Sequence, residues 1–154
     1  MPGPEQIIIR TMTESDLDAV LAIEQASFSA PWRREHFLHE LAAPHAFPCV
    51  ASEDGAIVGY VCLMSLFEEA QILDIAVDPQ QRGRGIARML MEHAFTAARG
   101  LGAEFMALEV RASNCAAITL YERLGFSRTG VRAGYYEGKE DAVLMEKSLL
   151  VSYK

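Results

Sequence analysis

The sequence predicts one domain of mixed α/β class, in which helices flank a central sheet. Its 154 residues match the size of a single ordinary domain, and 51% hydrophobic residues provide enough apolar surface for a sizeable core. Apolar residues also recur with strand-like and helix-like spacing in successive segments. No internal repeat, low-complexity tract or linker interrupts residues 1–154. The predicted order of elements is βααβββαβαββ.

The first three predicted elements are a strand and two helices. Residues 7–10 form a short apolar strand. Thr13 and Asp16 have the spacing of a capping box, and apolar residues follow at mostly helical spacing, which indicates a first helix. Pro31 suits the first position of a second helix, and Pro44 ends that helix.

Three strands are predicted next. Residues 47–52 and 56–66 form a hairpin, because Asp54-Gly55 between them is a strong signal for a tight turn. Residues 70–77 are predominantly apolar and continue the sheet as a further strand.

A long helix to about residue 98 follows these strands. The residues predicted to form its buried stripe are Leu90, Met91, Ala94 and Ala98. Gly100 and Gly102 end it, because glycine readily adopts the left-handed conformation at helix ends. The remaining predicted elements are a strand, a helix and two closing strands, at residues 104–111, 114–124, 127–131 and 142–150.

The most informative motif is the glycine-rich segment Arg82-Gly83-Arg84-Gly85-Ile86-Ala87. It lies between an apolar strand and an amphipathic helix. Glycines let the backbone approach a ligand closely, and the free N–H groups and dipole of a helix start favour an anion. The arginines here, Arg82, Arg84 and Arg88, locally reverse the acidic balance of the chain. This order of elements predicts a site for a pyrophosphate group.

Two common phosphate-binding motifs are excluded. A Walker loop requires Lys and then Ser or Thr after its last glycine, but Ile86 and Ala87 follow Gly85. A dinucleotide-binding fingerprint requires a third glycine, where this chain has Arg88. From these residues alone, a tight turn without a ligand remains the alternative.

The wider sequence resembles the GNAT N-acetyltransferases. The pattern R-x-x-G-x-A after Val-Asp-Pro resembles their acetyl-CoA loop, and residues 108–126 resemble the RimI branch, bacterial enzymes that acetylate the N-terminus of a ribosomal protein. Further matches to that branch are Pro31, Trp32, Arg132, Tyr135, Tyr136, Glu140, Asp141 and Ala142. The similarity covers essentially the whole chain. Ala87 stands where many relatives have glycine, but the pattern also permits alanine.

The resemblance implies a GNAT fold and an enzyme that transfers acetyl from acetyl-CoA to a protein α-amine. The favoured acceptor is the N-terminal alanine of ribosomal small-subunit protein 18, and the amine attacks directly in a ternary complex. The implied cofactor-binding residues are Ile75, Ala76, Val77, Arg82, Gly83, Arg84, Gly85, Ile86, Ala87, Arg88, Asn114 and Tyr121. A bulge near residues 75–77 would splay this strand from its neighbour beside the pantetheine. A backbone N–H near Val77 would polarise the thioester carbonyl.

Glu109 is the candidate general base. Strand alternation places it on one face with Phe105, Ala107 and Arg111. Burial on such a largely apolar face would tune a carboxylate toward the working range of a base. A surface ion pair with Arg111 explains the spacing equally well, whereas the resemblance implies the base role, exerted through water.

Tyr121 is the candidate for assisting the leaving group. The resemblance implies that Tyr121 faces the sulfur atom of the cofactor. The alternative is that its ring only packs in the core. Transfer of a proton from a phenol of pKa ~10 to a thiolate of pKa ~8.5 costs roughly 2 kcal/mol, so a hydrogen bond can suffice. Asn114 shares a helix face with Tyr121 and is also a good N-cap residue.

An aromatic groove is implied for the acceptor. By resemblance, Trp32, Tyr135 and Tyr136 line it, with Glu140 and Asp141 near enough to attract the ammonium group. The alternatives are that Trp32 anchors the second helix and that the tyrosine pair forms a half-exposed strand edge.

Composition argues against several other classes of protein. A net charge of −7 argues against a nucleic-acid partner, and no apolar stretch has the length of a membrane span or a signal peptide. The three cysteines lack C-x-x-C spacing, and His36 and His39 lack further ligands for a metal. We therefore expect a cytoplasmic enzyme without a metal ion.

Two other functions stay open at this point. The same scaffold could acetylate a small amine or a lysine side chain. A module that binds acetyl-CoA without catalysis is the alternative from another class, although Glu109 and Tyr121 together argue against it.

Overall fold

The computed structural model describes residues 6–150. The seven strands are β1 (Ile8–Thr11), β2 (Cys49–Glu53), β3 (Ala56–Leu66), β4 (Glu69–Val77), β5 (Phe105–Arg111), β6 (Ser127–Tyr136) and β7 (Glu140–Ser148). The four α-helices are α1 (Leu17–Ser27), α2 (Arg34–Ala42), α3 (Ile86–Gly100) and α4 (Cys115–Arg123). Short 3₁₀ turns at Glu14–Asp16 and Pro79–Gln81 precede α1 and α3.

The strands form one mixed sheet in the order β1-β2-β3-β4-β5-β7-β6. Among the described strands, only β4 and β5 pair in parallel. The α3 crossover brings the chain back to the end of the sheet where β4 began, so β5 runs in the same direction as β4. The other neighbouring strands pair antiparallel. The predicted order of elements and the mixed α/β class are therefore confirmed.

Helices cover both faces of the sheet and create two cores. On one face, α3 and α4 pack apolar side chains such as Leu90 and Ile118 against the strands. On the other face, α1 and α2 pack Val20 and Phe37 against Tyr60 of β3. The residues of the predicted stripe on α3, namely Leu90, Met91, Ala94 and Ala98, are all buried.

The second helix begins later than predicted. α2 starts at Arg34, so Pro31 is not its first residue. Arg33 has an extended backbone, with φ −96° and ψ 170°, and the Trp32 backbone N–H donates to the Glu24 carboxylate at 2.9 Å. This tertiary hydrogen bond holds the segment before Arg34 in an extended conformation.

The last hairpin is longer than predicted. β6 continues to Tyr136 instead of ending at residue 131, and β7 begins at Glu140 instead of residue 142. The pairing of the two strands shifts register between Arg132 and Tyr136, and this irregularity hides the usual alternation of side chains. Tyr135 and Tyr136 consequently lie at the end of a strand.

A bulge in β4 opens the centre of the sheet. Cys62 of β3 is opposite Asp74, but its neighbour Leu63 is opposite Ile72, so Leu73 is the extra residue. The parallel pairing of β4 with β5 runs from Glu69 to Ile72 and ends there. Residues 73–77 therefore face a cleft between the two strands instead of a paired strand.

Candidate active site

The glycine-rich turn has a backbone conformation that needs glycine. Gly83 and Gly85 both have φ of +81°, and Gly85 is the N-cap of α3. Apart from the glycine and its neighbours in the chain, no atom of residues 6–150 lies within 4 Å of an added Cβ at either position. Side chains are thus disfavoured here by the left-handed backbone and not by crowding. The first N–H groups of α3 lack partners within the helix and suit an anion.

The arginines of the turn already have partners. Arg84 donates two hydrogen bonds to the Glu53 carboxylate, at 3.0 and 2.6 Å, and one to Gln81 at 2.6 Å. Arg82 donates to Ser27 at 3.4 Å, and Arg88 pairs with Glu92 one helical turn away. A phosphate would have to compete with Glu53 for Arg84, so its role as a cofactor ligand stays a prediction.

Glu109 lies on the more exposed face of β5. It shares this face with Phe105, Ala107 and Arg111, as predicted, while the alternate residues between them are buried. The expected burial of Glu109 is wrong, because its side chain is 31% exposed. The alternative of an ion pair with Arg111 is not what forms, since the Oε1 atom of Glu109 lies 3.4 Å from Nη2 of Arg132 on β6.

Arg111 is taken by two carboxylates of the last hairpin. It pairs with Glu137 at 2.7 Å and with Glu140 at 3.2 Å. Glu140 also accepts the Ser113 backbone N–H at 2.7 Å, and these bonds from Ser113 and Arg111 lower the pKa of the Glu140 carboxyl. Asp141 accepts the Gly134 N–H at 3.0 Å. The acidic pair expected to attract a substrate ammonium is thus engaged in bonds within the protein.

Tyr121 is buried on α4, in the core that α3 and α4 form with the sheet. Its ring packs against Phe126 with the two ring centres 5.9 Å apart. Burial raises the pKa of its hydroxyl to about 12, and the charges of Asp74 and Tyr136 add to the effect. The phenol therefore stays protonated and can donate a hydrogen bond. Asn114 caps α4 by accepting the Ala117 N–H at 3.2 Å, so the prediction that it is an N-cap residue is confirmed.

The two tyrosines of β6 stack with arginines. Their ring centres lie 5.0 Å apart, with the Arg111 guanidinium 4.3 Å from the Tyr136 ring and the Arg132 guanidinium 4.5 Å from the Tyr135 ring. Burial raises the pKa of the Tyr136 hydroxyl, and the charge of nearby Glu109 raises it further. Tyr136, Glu109 and Tyr121 therefore lie around one region of the sheet.

A groove of about 390 Å³ brings other predicted residues together. Its lining residues are Trp32, Glu35, His36, His39, Glu40, Leu73 and Tyr135. Trp32 and Tyr135 meet here as predicted, although Tyr136 is not part of this lining. His36 and His39 are exposed, as expected for surface histidines, and they also line this groove, which the sequence did not indicate. Their three-residue spacing on α2 places both on one face, and only the docking of α2 shows where that face lies.

Within residues 6–150, no group of three or more His, Cys, Asp or Glu side chains is arranged to hold a metal ion. None of the helices in that range is long and apolar enough to span a bilayer.

The chain is similar to known proteins over nearly all of its length. Residues 17–126 match the acetyltransferase (GNAT) family. The chain is 37% identical to the putative ribosomal protein bS18-alanine N-acetyltransferase of Bacillus subtilis, over 89% of this chain and 92% of that protein. It is 36% identical to the ribosomal protein bS18-alanine N-acetyltransferase of Salmonella typhimurium, over 89% of this chain and 94% of that protein.

Comparison with a solved structure gives the same result. The crystal structure of the ribosomal-protein-S18-alanine N-acetyltransferase from Escherichia coli matches with a TM-score of 0.87 at 32% identity, covering 96% of this chain and 97% of that one. The resemblance inferred from the glycine-rich turn and residues 108–126 is thereby confirmed. The chain belongs to the GNAT family of acetyl-CoA-dependent N-acetyltransferases.

Proposed function

We propose that this enzyme acetylates the α-amine of a protein N-terminus, with the N-terminal alanine of ribosomal protein bS18 as its acceptor. Relatives that carry this activity in their names are 36–37% identical over most of both chains. The observation that supports the proposal best is Leu73, because this bulge residue lies at the cleft beside β4 and also lines the aromatic groove. We further propose that residues 1–154 act as one domain in the cytoplasm, where ribosomal proteins are made.

The cofactor fits the cleft and the turn. The positive φ angles at Gly83 and Gly85 leave open space in front of the N-terminus of α3, which suits a pyrophosphate held by residues 82–88. Among the described strands, none pairs with residues 75–77 of β4 on the β5 side, so the N–H and C=O groups there can bind the amides of pantetheine. Bound acetyl-CoA supplies the acetyl group as a thioester.

In this proposal, Glu109 removes a proton from the substrate ammonium through water. The α-amine of a peptide has a pKa near 8, so only modest help is needed at neutral pH. The Glu109 side chain is 31% exposed, so a water molecule can reach its carboxylate and relay the proton. The amine then takes the acetyl group directly, and a backbone N–H near Val77 polarises the carbonyl.

Tyr121 donates a hydrogen bond to the departing sulfur in this proposal. With a phenol pKa of about 12 and a thiol pKa of ~8.5, full proton transfer would cost about 5 kcal/mol. A hydrogen bond to the developing thiolate avoids most of this cost. The buried position of Tyr121 strengthens such a bond, since water does not compete for the donor.

Replacing Tyr121 by phenylalanine tests this role. The ring still packs against Phe126, but the donor is lost, so we expect kcat to fall about tenfold or more. Acetyl-CoA affinity, measured by calorimetry, should change much less, because the hydroxyl acts mainly when the sulfur bears negative charge. If kcat and affinity fall in proportion, Tyr121 is a packing residue.

The acceptor is tested with matched peptides. A peptide with a free N-terminal alanine should be acetylated, whereas the same peptide with a blocked N-terminus and an internal lysine should not, as read by mass spectrometry. Modification of the lysine as well, or polyamines that outcompete every peptide, would contradict the proposed acceptor but leave the acetyltransferase family unchanged.

The proposed role of Tyr136 in peptide binding is tested by substitution, because its ring packs against that of Tyr135, which lines the groove. Substituting Tyr136 by Ala should raise the peptide KM about fivefold or more, since loss of an aromatic anchor typically costs over 1 kcal/mol. Acetyl-CoA binding should stay at the wild-type level. Val131→Ala is the matched control, because Val131 is an exposed residue of the same strand. An equal rise of KM in both variants would argue against a specific contact of Tyr136.

A further inference from the structure

The bulge at Leu73 places an acidic side chain inside the protein. Before the bulge, Ala70 and Ile72 pack into the core under α3 and α4. The extra residue reverses the alternation, so Ala76 packs into the other core, under α1 and α2. Asp74 shares the face of Ala76, lies opposite Cys62 of that core and is only 9% exposed.

A second carboxylate meets Asp74 there. Glu24 of α1 is 2% exposed, and its Oε1 atom accepts the Tyr60 hydroxyl at 2.6 Å. Its Oε2 atom accepts the backbone N–H of Trp32 at 2.9 Å. The carboxyl group of Asp74 is close enough to Glu24 to form a hydrogen bond with it.

Two carboxylates so close in a dry interior do not both ionise. Burial raises the pKa of Asp74 to about 10, and the hydrogen bond and charge of Glu24 contribute to the rise. The Oδ2 atom of Asp74 is buried and accepts no hydrogen bond from the described residues, which fits an oxygen that carries a proton. Both carboxylate oxygens of Glu24 already accept hydrogen bonds, from Tyr60 and Trp32, so Asp74 is the group that donates between the two.

This arrangement links the cofactor strand to the acceptor groove. Trp32 lines the groove, and its ring stacks on His36 and Phe37 with centres 5.7 and 5.2 Å apart. The Trp32 segment lies outside α2, so its backbone N–H depends on Glu24 instead of on a helical partner. Leu73, beside Asp74 in the chain, lines the same groove.

We propose that Asp74 is a positioning residue, which donates a proton to Glu24 in a hydrogen bond and thereby fixes Trp32 relative to β4. The proposal rests on the proposed function in one respect, namely that the groove binds the acceptor. The residue at position 74 must donate a hydrogen bond. It needs neither a negative charge nor a proton that is transferred in the reaction. A buried pair of this kind seldom adds stability over an apolar pair, but it can define one geometry.

The proposal predicts a clear order among substitutions of Asp74. Asp74→Asn keeps a donor of nearly the same shape, so peptide KM and kcat should stay within about twofold of wild type. Asp74→Leu removes the donor, and peptide KM should rise about tenfold, as expected for a lost hydrogen bond to a charged group. The kcat at saturating peptide and the Kd of acetyl-CoA should change little. Asp74→Ala provides the same test if leucine does not fold.

Fluorescence gives a readout that does not depend on the acceptor. Trp32 is the single tryptophan of the sequence, so its emission and its quenching by acrylamide report on this segment alone. Quenching should increase in the leucine or alanine variant and stay at the wild-type level in the asparagine variant. Gln71→Leu is the matched control, because it also replaces a polar residue of β4 but lies before the bulge.

Two results would overturn the proposal. One is an asparagine variant as impaired as the leucine variant, since the acid itself would then be required. The other is unchanged Trp32 quenching and unchanged peptide KM in the leucine and alanine variants. Failure of the proposed function gives a different result from failure of this proposal. The wild-type protein would then bind acetyl-CoA and acetylate no peptide. The quenching comparison would still decide whether Asp74 positions Trp32.

Discussion

Replacing Glu109 by glutamine is expected to lower kcat about 100-fold at pH 7, which is the usual effect of removing a general base. Glutamine keeps the shape of the side chain and can still accept a hydrogen bond from Arg132, but it cannot take a proton. Acetyl-CoA affinity should stay nearly unchanged, since the proposed cofactor residues of β4 and the glycine-rich turn are not altered. Steady-state kinetics and calorimetry measure the two quantities separately.

The pH dependence of this loss gives a second check. Below about pH 8 most of the substrate α-amine is protonated, and above it most is neutral and needs no base. The difference between the glutamine variant and wild type should therefore shrink as the pH rises. Glu146→Gln, at an exposed position of β7, is the control for loss of a charge alone. Equal kcat values for the Glu109 variant and wild type at pH 7 would leave Glu109 with only its ion pair to Arg132.

Replacing Gly85 by valine is expected to weaken acetyl-CoA binding about 100-fold, the second large effect. At φ of +81°, a residue with a Cβ is strained by roughly 1–2 kcal/mol, and β-branched side chains fit this region worst. The space around the added Cβ is open in the protein, so the fold should survive. That same space is where a pyrophosphate would approach the start of α3, and the valine side chain would occupy it.

Calorimetry without added metal measures this effect. The wild-type protein should bind acetyl-CoA in the micromolar range. Gly102→Val is the matched control, because Gly102 also has a positive φ, of +92°, and an open Cβ position, but lies at the opposite end of α3. Wild-type affinity in the Gly85 variant, or an equal loss in the Gly102 variant, would contradict a phosphate site at the turn.

Local sequence signals predicted the order of the elements well. Asp54-Gly55 forms the expected tight turn with positive φ at both residues, and Asn114 caps α4 as its side chain suggests. The spacing of Leu90 and Ala94 located the buried side of α3. These features depend on neighbours within a few residues along the chain, so the sequence contains nearly all the information that decides them.

The errors all involve contacts between distant parts of the chain. Pro31 has the right chemistry to begin a helix, but a hydrogen bond from its neighbour Trp32 to Glu24 keeps it outside. Glu109 has the predicted strand neighbours, yet which face of β5 is exposed depends on how the helices dock. Its ion pair with Arg132 depends on the pairing of β6 with β7, whose register shift no local pattern reveals.

By itself, the sequence determined the mixed α/β class and the element order, and it predicts an anion site at the turn around Gly85. Together with the resemblance, it also indicated the GNAT family. Only the tertiary structure decided that β4 bulges at Leu73, that Asp74 and Glu24 are both buried, and that Trp32 and Tyr135 share one groove. The physical reason is one of range. Backbone preferences and side-chain periodicity act over a few residues, whereas burial, charge pairing and cavity shape depend on segments that folding brings together from far apart in the chain.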